Sequence, residues 1–376
     1  MTQHAEFYRN AIDLNRYSNG VARRVIRTYN EVILDAAERL AILDPETQTA
    51  ARLRAILLQL KESLATWSGA STQLMIEELQ GLALIQSDFM TTTLQGMLPP
   101  GSTSIVRTVE ISPEFAQAVV SFDPTQANVV NLSDPLPGQL GRAAPRVALP
   151  QGVTLTLPNG EIVRKAFQNM ATKQAEAFGQ VVRVGLMQGE SSERIARRIR
   201  GRLNREQRGS AQQIIQQGGQ LTAMPNNQIR AIVRSSVTQI ADAAMEQVAL
   251  ANSDITTRYR YTALLDSRTS PICRALDGKV YKWGEGPHPP VHFNCRSQRV
   301  ALIKGFAQQA LDEQPTYGEW LVANPDQKVK VFGSKTKYFD YLTKKYGPTD
   351  AVRRFVKQDG SEVTLGELRA KYPSVT

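Results

Sequence analysis

Cysteine is nearly absent from this chain: two residues, Cys273 and Cys295, among 376. Two cysteines cannot build a disulfide framework, which fits assembly in a reducing compartment. Histidine is equally scarce, at three. No apolar run approaches the ~20 residues that a membrane-spanning helix needs. The opening stretch, MTQHAEFYRN, lacks the basic-then-apolar order of a secretory signal. The expectation is a soluble chain, made in the cytoplasm, without a membrane partner. Acid is in deficit too: 35 Asp and Glu against 45 Lys and Arg leave a formal charge of +10. That excess favours a polyanion or an acidic protein surface as partner, besides serving solubility. Disorder is excluded, because 41% of the residues are apolar, enough to fill a core.

At ~100–200 residues per domain, the length predicts two or three domains. Residues 1–98 read as a helical N-terminal region. One apolar stripe runs through Val21, Val25, Ile26, Tyr29, Val32, Ile33 and Leu40. A second runs from Leu53 to Trp67, and TQLMIEELQGLALIQ forms a third. Such stripes need partners, so a helical hairpin or bundle follows. LPPGSTS stops the helices. From 99 to 165 the chain reads as an extended, β-rich arm, with a hairpin signal at Asn159-Gly160 in VTLTLPNGEIV. Helices return from 166, and one stripe, from Ile229 to Val248, ends near Asn252. Strand patterns follow in RYRYTALL, ALDGKVYKW and SQRVALI, the second opening on an Asp277-Gly278 turn. They close a small α+β core that ends at 303. Residues 304–376 form a basic, mostly helical tail. It holds an Asp-Gly hairpin in VKQDGSEV and a capping box from Thr364 to Glu367. The expected fold class is α+β, mostly α-helical.

The stretch GESSERIARRIRGRLNREQRGS carries Arg194, Arg197, Arg198, Arg200, Arg202, Arg205 and Arg208. Arginines this dense, with few acids between them, are candidates for phosphate contact; a solvated helix face is the plainer reading. Ser191 or Ser192 caps the helix start, with Glu193 near the favourable end of the dipole.

The soft-ligand chemistry sits almost entirely in one window. Cys273, His288, His292 and Cys295 form C-x14-H-x3-H-x2-C. Two thiolates and two imidazoles suit tetrahedral zinc. A Cys273–Cys295 disulfide is a second option, worth about 3 kcal/mol by chain entropy. Packing without a metal is a third, since buried cysteine behaves as a small apolar group. A catalytic use, as a metal-dependent nuclease or hydrolase acting on DNA, lacks a convincing set of acidic ligands. No catalytic residue is assigned.

The same window resembles the phage Mu protein F-like head morphogenesis family. The shared pattern is Asp266, Arg268 and Thr269, then Cys273, then Leu276-Asp277-Gly278-Lys279, then Pro290 leading to His292, Asn294, Cys295 and Arg296. The resemblance covers roughly 165–303, under half of the chain. This sequence departs from many members at Ser270 and Ser297, where they carry further cysteines. The resemblance implies a minor capsid protein of a tailed bacteriophage, assembled in the host cytoplasm and carried in the virion head. It implies work at the portal vertex in head assembly and genome delivery. The partners it implies are the portal protein, other head proteins and double-stranded phage DNA, with several copies around the portal. In that picture the Cys/His window is a rigid knob in which Asp266 and Arg268 pair with backbone or with Arg296.

Overall fold

The computed structural model describes residues 3–43, 49–111, 116, 120, 156–200, 221, 223–305, 315–358 and 361–375. Two long helices open the chain: α1 (Gln3–Ala41) and α2 (Ala50–Met97). Thr49 starts α2 by accepting a hydrogen bond from the Arg52 amide at 3.3 Å. The two apolar stripes expected between 53 and 86 belong to this one helix. No proline interrupts them, and a glycine at 69 costs a helix only about 1 kcal/mol.

Next come α3 (Val163–Met187), α4 (Ser192–Ile199) and α5 (Ala223–Ala251). α2 packs against α1, α3 and α5, and α1 also meets α4 and α5. α5 is the axis of this arrangement. Sequence periodicity suggests one apolar face, yet from Ser235 to Ala249 every side chain but Thr238 is buried. Helices and the sheet enclose it from several directions.

Of the connecting arm, 99–111 and 156–162 are described, and most of 112–155 lies outside the described residues. The first piece runs extended over α2 and α5. Ser87 donates to the Val109 carbonyl at 3.2 Å. Asn252, just past α5, accepts from the Arg107 amide at 2.7 Å and donates to the Arg107 carbonyl at 2.9 Å. In the second piece the Asn159-Gly160 turn is closed by Leu157 N–H to the Glu161 carbonyl, 2.8 Å. The chain then enters α3 directly. The candidate strand residues 153–155 before the turn lie outside the described residues.

The sheet has three antiparallel strands: β1 (Thr256–Thr262), β2 (Val280–Lys282) and β3 (Gln298–Ile303), in the order β2-β1-β3. Tyr259 pairs with Tyr281 on one side and Ala301 on the other. All six residues of β3 are buried, because the strand contacts α1, α2 and α5. A short helix, α6 (Pro271–Leu276), bridges β1 and β2. Gly278, at φ 75°, makes the turn after it and donates to the Tyr261 carbonyl at 2.9 Å.

Among its described residues the basic tail holds five α-helices: α7 (Tyr317–Ala323), α8 (Pro325–Phe332), α9 (Thr336–Tyr346), α10 (Pro348–Arg353) and α11 (Leu365–Lys371). They enclose a second core, in which Phe332 stacks on Phe339 and Phe355 meets both rings at a tilt. The capping box at Thr364 and Glu367 forms, and a second one forms at Thr316 and Glu319. Asp359-Gly360 lies outside the described residues, but its flanks are paired through a Val356–Glu362 bridge. Gly318 lets α7 pass against the start of α10. A Cβ there would sit 2.2 Å from the Pro348 carbonyl oxygen. Gly318→Ala is therefore expected to cost about 1–3 kcal/mol through overpacking, read as a lower urea midpoint for unfolding. An unchanged midpoint would mean that the backbone yields there.

The observed class is α+β and mostly helical, with one small antiparallel sheet among the described residues.

Candidate functional site

Two local structures build the site. In the first, Ser270 caps α6 by accepting from the Cys273 amide at 3.3 Å, and Pro271 occupies the first helical position, where its missing N–H costs nothing. This presents Cys273 to the inner face of β1. In the second, residues 292–295 make a tight turn. The Cys295 amide donates to the His292 carbonyl at 3.1 Å, and Asn294 takes a positive φ of 60°, a conformation Asn tolerates better than most residues. The turn sets His292 and Cys295 side by side.

The two pieces meet. Cys273 Sγ lies 3.1 Å from His292 Nε2 and 3.7 Å from Cys295 Sγ. Ser270 Oγ is 2.7 Å from the same Nε2. The Tyr261 hydroxyl stands 3.4 Å from Cys273 Sγ and 3.9 Å from Cys295 Sγ. His292 Nδ1 faces the Phe293 carbonyl at 2.8 Å and must donate to it. In the neutral ring, Nε2 is then left with its lone pair aimed at Cys273 and Ser270. Both cysteines are buried and free; His292 and Ser270 are half-buried.

The thiols are electrostatically unequal. Hydrogen bonds from Cys295 above all, then from Ser270, Ser297 and Tyr261, bring Cys273 down to about 6 against the pull of burial. The hydrogen bond to Cys273 first, then burial, sends Cys295 up to about 12. Burial works against a charge on His292, but the bond to Cys295 outweighs it and the pKa rises.

His288, the fourth residue of the expected ligand set, is not with the other three. Its Nδ1 lies 3.5 Å from Glu246 and 3.9 Å from Asp242, both on α5. Those acids hold Arg299, which is fully buried. The guanidinium forks onto Asp242 with two bonds of 2.6 Å and reaches Glu246 at 2.8 Å. The rings of Tyr259 and Trp283 flank it at 5.0 and 4.9 Å. Burial depresses the pKa of His288.

Residues 176–300 match the family described as phage Mu protein F like protein. This segment is Mu F-like. It spans α3 from Glu176 through α4, α5, β1, α6 and β2 into β3, and so contains the whole Cys/His centre. The match covers about a third of the chain. No curated protein and no solved structure matches the chain significantly. Among the described residues, no helix is long and apolar enough to cross a membrane.

The remaining motif residues of the Mu F-like segment act as braces. Arg296 grips Asp266 with two bonds, of 2.5 and 2.8 Å. Asp266 also accepts from the Arg268 amide at 2.9 Å, while the Arg268 side chain is exposed. Thr269 donates to the Leu264 carbonyl. Asp277 accepts from two backbone amides, Ala263 at 2.7 Å and Tyr317 at 2.6 Å. Asn294 receives Arg234 from α5 at 3.3 Å, and Thr238 donates to the Cys295 carbonyl at 3.1 Å.

The arginines on and just after α4 divide. Arg194 and Arg197 pair with Glu190 and Glu193, at 3.5 and 2.9 Å. Arg198 is buried, bonded to Glu190 at 3.0 Å and to the Val181 carbonyl at 3.1 Å. The phosphate expectation is thereby corrected for Arg198, whose place on α4 faces α3. Arg200 is partly exposed, and Arg202, Arg205 and Arg208 lie outside the described residues. Sequence reading missed Tyr261, Asp242, Glu246 and Arg299. The available signal was two acids at i and i+4 inside an otherwise apolar helix, since unpaired acids rarely sit in a core.

Proposed function

We propose that this protein is a minor head protein of a tailed bacteriophage that binds the portal vertex and touches packaged double-stranded DNA during assembly and delivery. The observation that carries the reading is the match over 176–300. The long hairpin of α1 and α2 supports a docking role, because Leu58, Leu84 and Ile85 of α2 are each more than half exposed. Cryo-EM reconstruction of particles is expected to find the chain at the portal vertex in a small fixed copy number. Particles that lack it would remove the proposal.

DNA contact draws support from the C-terminal helices. Lys337, Lys344, Lys345, Arg354 and Lys371 are exposed and take part in no ion pair among the described residues. They lie among half-buried tyrosines: Arg354 sits 3.6 Å from the Tyr346 ring and Lys345 5.3 Å from it. Lys345→Glu with Arg354→Glu is expected to weaken duplex binding about tenfold at moderate salt and to flatten its salt dependence. Unchanged binding would leave the positive charge a matter of solubility. The hydrolase reading has less behind it, since the groups around Cys273 and His292 are hydroxyls rather than carboxylates. Plasmid nicking that His292→Ala abolishes would revive it.

A further inference from the structure

We propose that Cys273, His292 and Cys295 are the three protein ligands of a zinc site whose fourth position, beside Ser270, is open to water. The proposal stands apart from where the protein sits in the particle. Three donor atoms, one from each residue, lie within 4.8 Å of one another. Zinc–sulfur bonds of about 2.3 Å at tetrahedral angles would hold two thiolates about 3.8 Å apart, and the sulfurs here are 3.7 Å apart. Zinc–nitrogen bonds of about 2.05 Å would put imidazole nitrogen and sulfur about 3.5 Å apart. The Cys273–His292 distance is 3.1 Å, so a movement of a few tenths of an ångström opens the site.

The surroundings prepare it. Bonding of His292 Nδ1–H to the Phe293 carbonyl leaves Nε2 as the coordinating atom and fixes the ring plane, the usual support of a metal-bound imidazole. The Tyr261 hydroxyl reaches both sulfurs and can donate to a thiolate there. Thr238 pins the backbone of Cys295. A donor set of two sulfurs and one imidazole selects zinc over magnesium or calcium, which prefer oxygen. Ser270 and His292 are half-buried, so solvent reaches the fourth corner. His288, committed to Glu246 and Asp242, has no part in the set.

The test uses the full-length chain purified under reducing conditions without chelator. Elemental analysis is expected to find one zinc per chain, and Cys273→Ala and His292→Ala are expected to lose it. Cobalt substituted for zinc should give a thiolate-to-metal charge-transfer band and the visible spectrum of a tetrahedral ion. Because alanine variants can fail to fold, a gain-of-affinity variant complements them. Ser270→Cys puts a third thiolate at the open corner and should tighten zinc about tenfold or more in chelator competition. The proposal is overturned by a folded chain that takes up neither zinc nor cobalt, by a Ser270→Cys variant with no more affinity than the parent, or by a Cys273–Cys295 disulfide in protein taken from particles.

Discussion

Arg299→Ala is expected to destabilise the protein by about 3–5 kcal/mol, the range for breaking a buried ion pair from one side. Arg299 is the most enclosed charge among the described residues, at 0% exposure, with Asp242 and Glu246 nearly as enclosed. Every donor direction it offers toward α5 is used, and two aromatic rings close its faces. Removing the guanidinium leaves two carboxylates facing each other in the core. Burial already pushes Asp242 up to about 7 while its partner is present. Arg299→Lys is expected to recover only part of the loss, since an ammonium cannot fork onto one carboxylate and reach a second. Replacing all three residues together by well-packed apolar ones should cost far less than the single alanine change. Urea unfolding of the series measures this. An alanine variant within about 1 kcal/mol of wild type would mean that water enters and solvates the acids.

That network also marks how far the sequence could be read. Elements set by local periodicity were legible: the strands around Tyr259 and Val300, the Asp277-Gly278 turn and the Thr364 cap all rest on residues within a few positions of one another. The span of α2 was harder to see, because its apolar positions drift around the axis over 48 residues and look like two stripes. At the Cys/His centre, Cys273, His292 and Cys295 meet as their residue types suggested. His288 does not, because Pro289 and Pro290 separate it from the turn and α5 supplies it with two acids. Arg299 and Asp242 are 57 positions apart. In sequence, Arg299 is a polar interruption in an apolar strand and Asp242 one in an apolar helix, and only the packing of sheet on helix shows that they answer each other. Arg198 is a related case, since its neighbours on α4 do expose their charge.

Asp277→Ala is expected to cost about 2–6 kcal/mol, because it strands two buried backbone N–H groups at about 1–3 kcal/mol each. The carboxylate joins separate parts of the protein. One oxygen takes the Ala263 amide after β1, the other the Tyr317 amide at the start of α7. Arg353 adds a contact from α10 to the Asp277 carbonyl at 3.3 Å. This side chain is thus one tie between the C-terminal helices and the Mu F-like segment, beside the Tyr317 hydroxyl on the Asp266 carbonyl and the Arg274–Glu362 pair, and limited proteolysis of the alanine variant should release those helices first. Burial raises the carboxyl to about 6, outweighing the two amides and the nearby Arg260 and Arg353. A folded-state value above the ordinary one means that the native protein holds this proton more tightly than the unfolded chain. The contribution is therefore complete below about pH 4 and is lost as pH rises to about 6, at up to about 1.4 kcal/mol per pH unit, then stays level. Asp277→Asn cannot titrate, so the difference between wild type and this variant should slope over that window and flatten above it. Asp242 titrates in both proteins and cancels. Parallel profiles for the two proteins between pH of about 4 and 6 would place the proton elsewhere and leave Asp277 a plain hydrogen-bond acceptor.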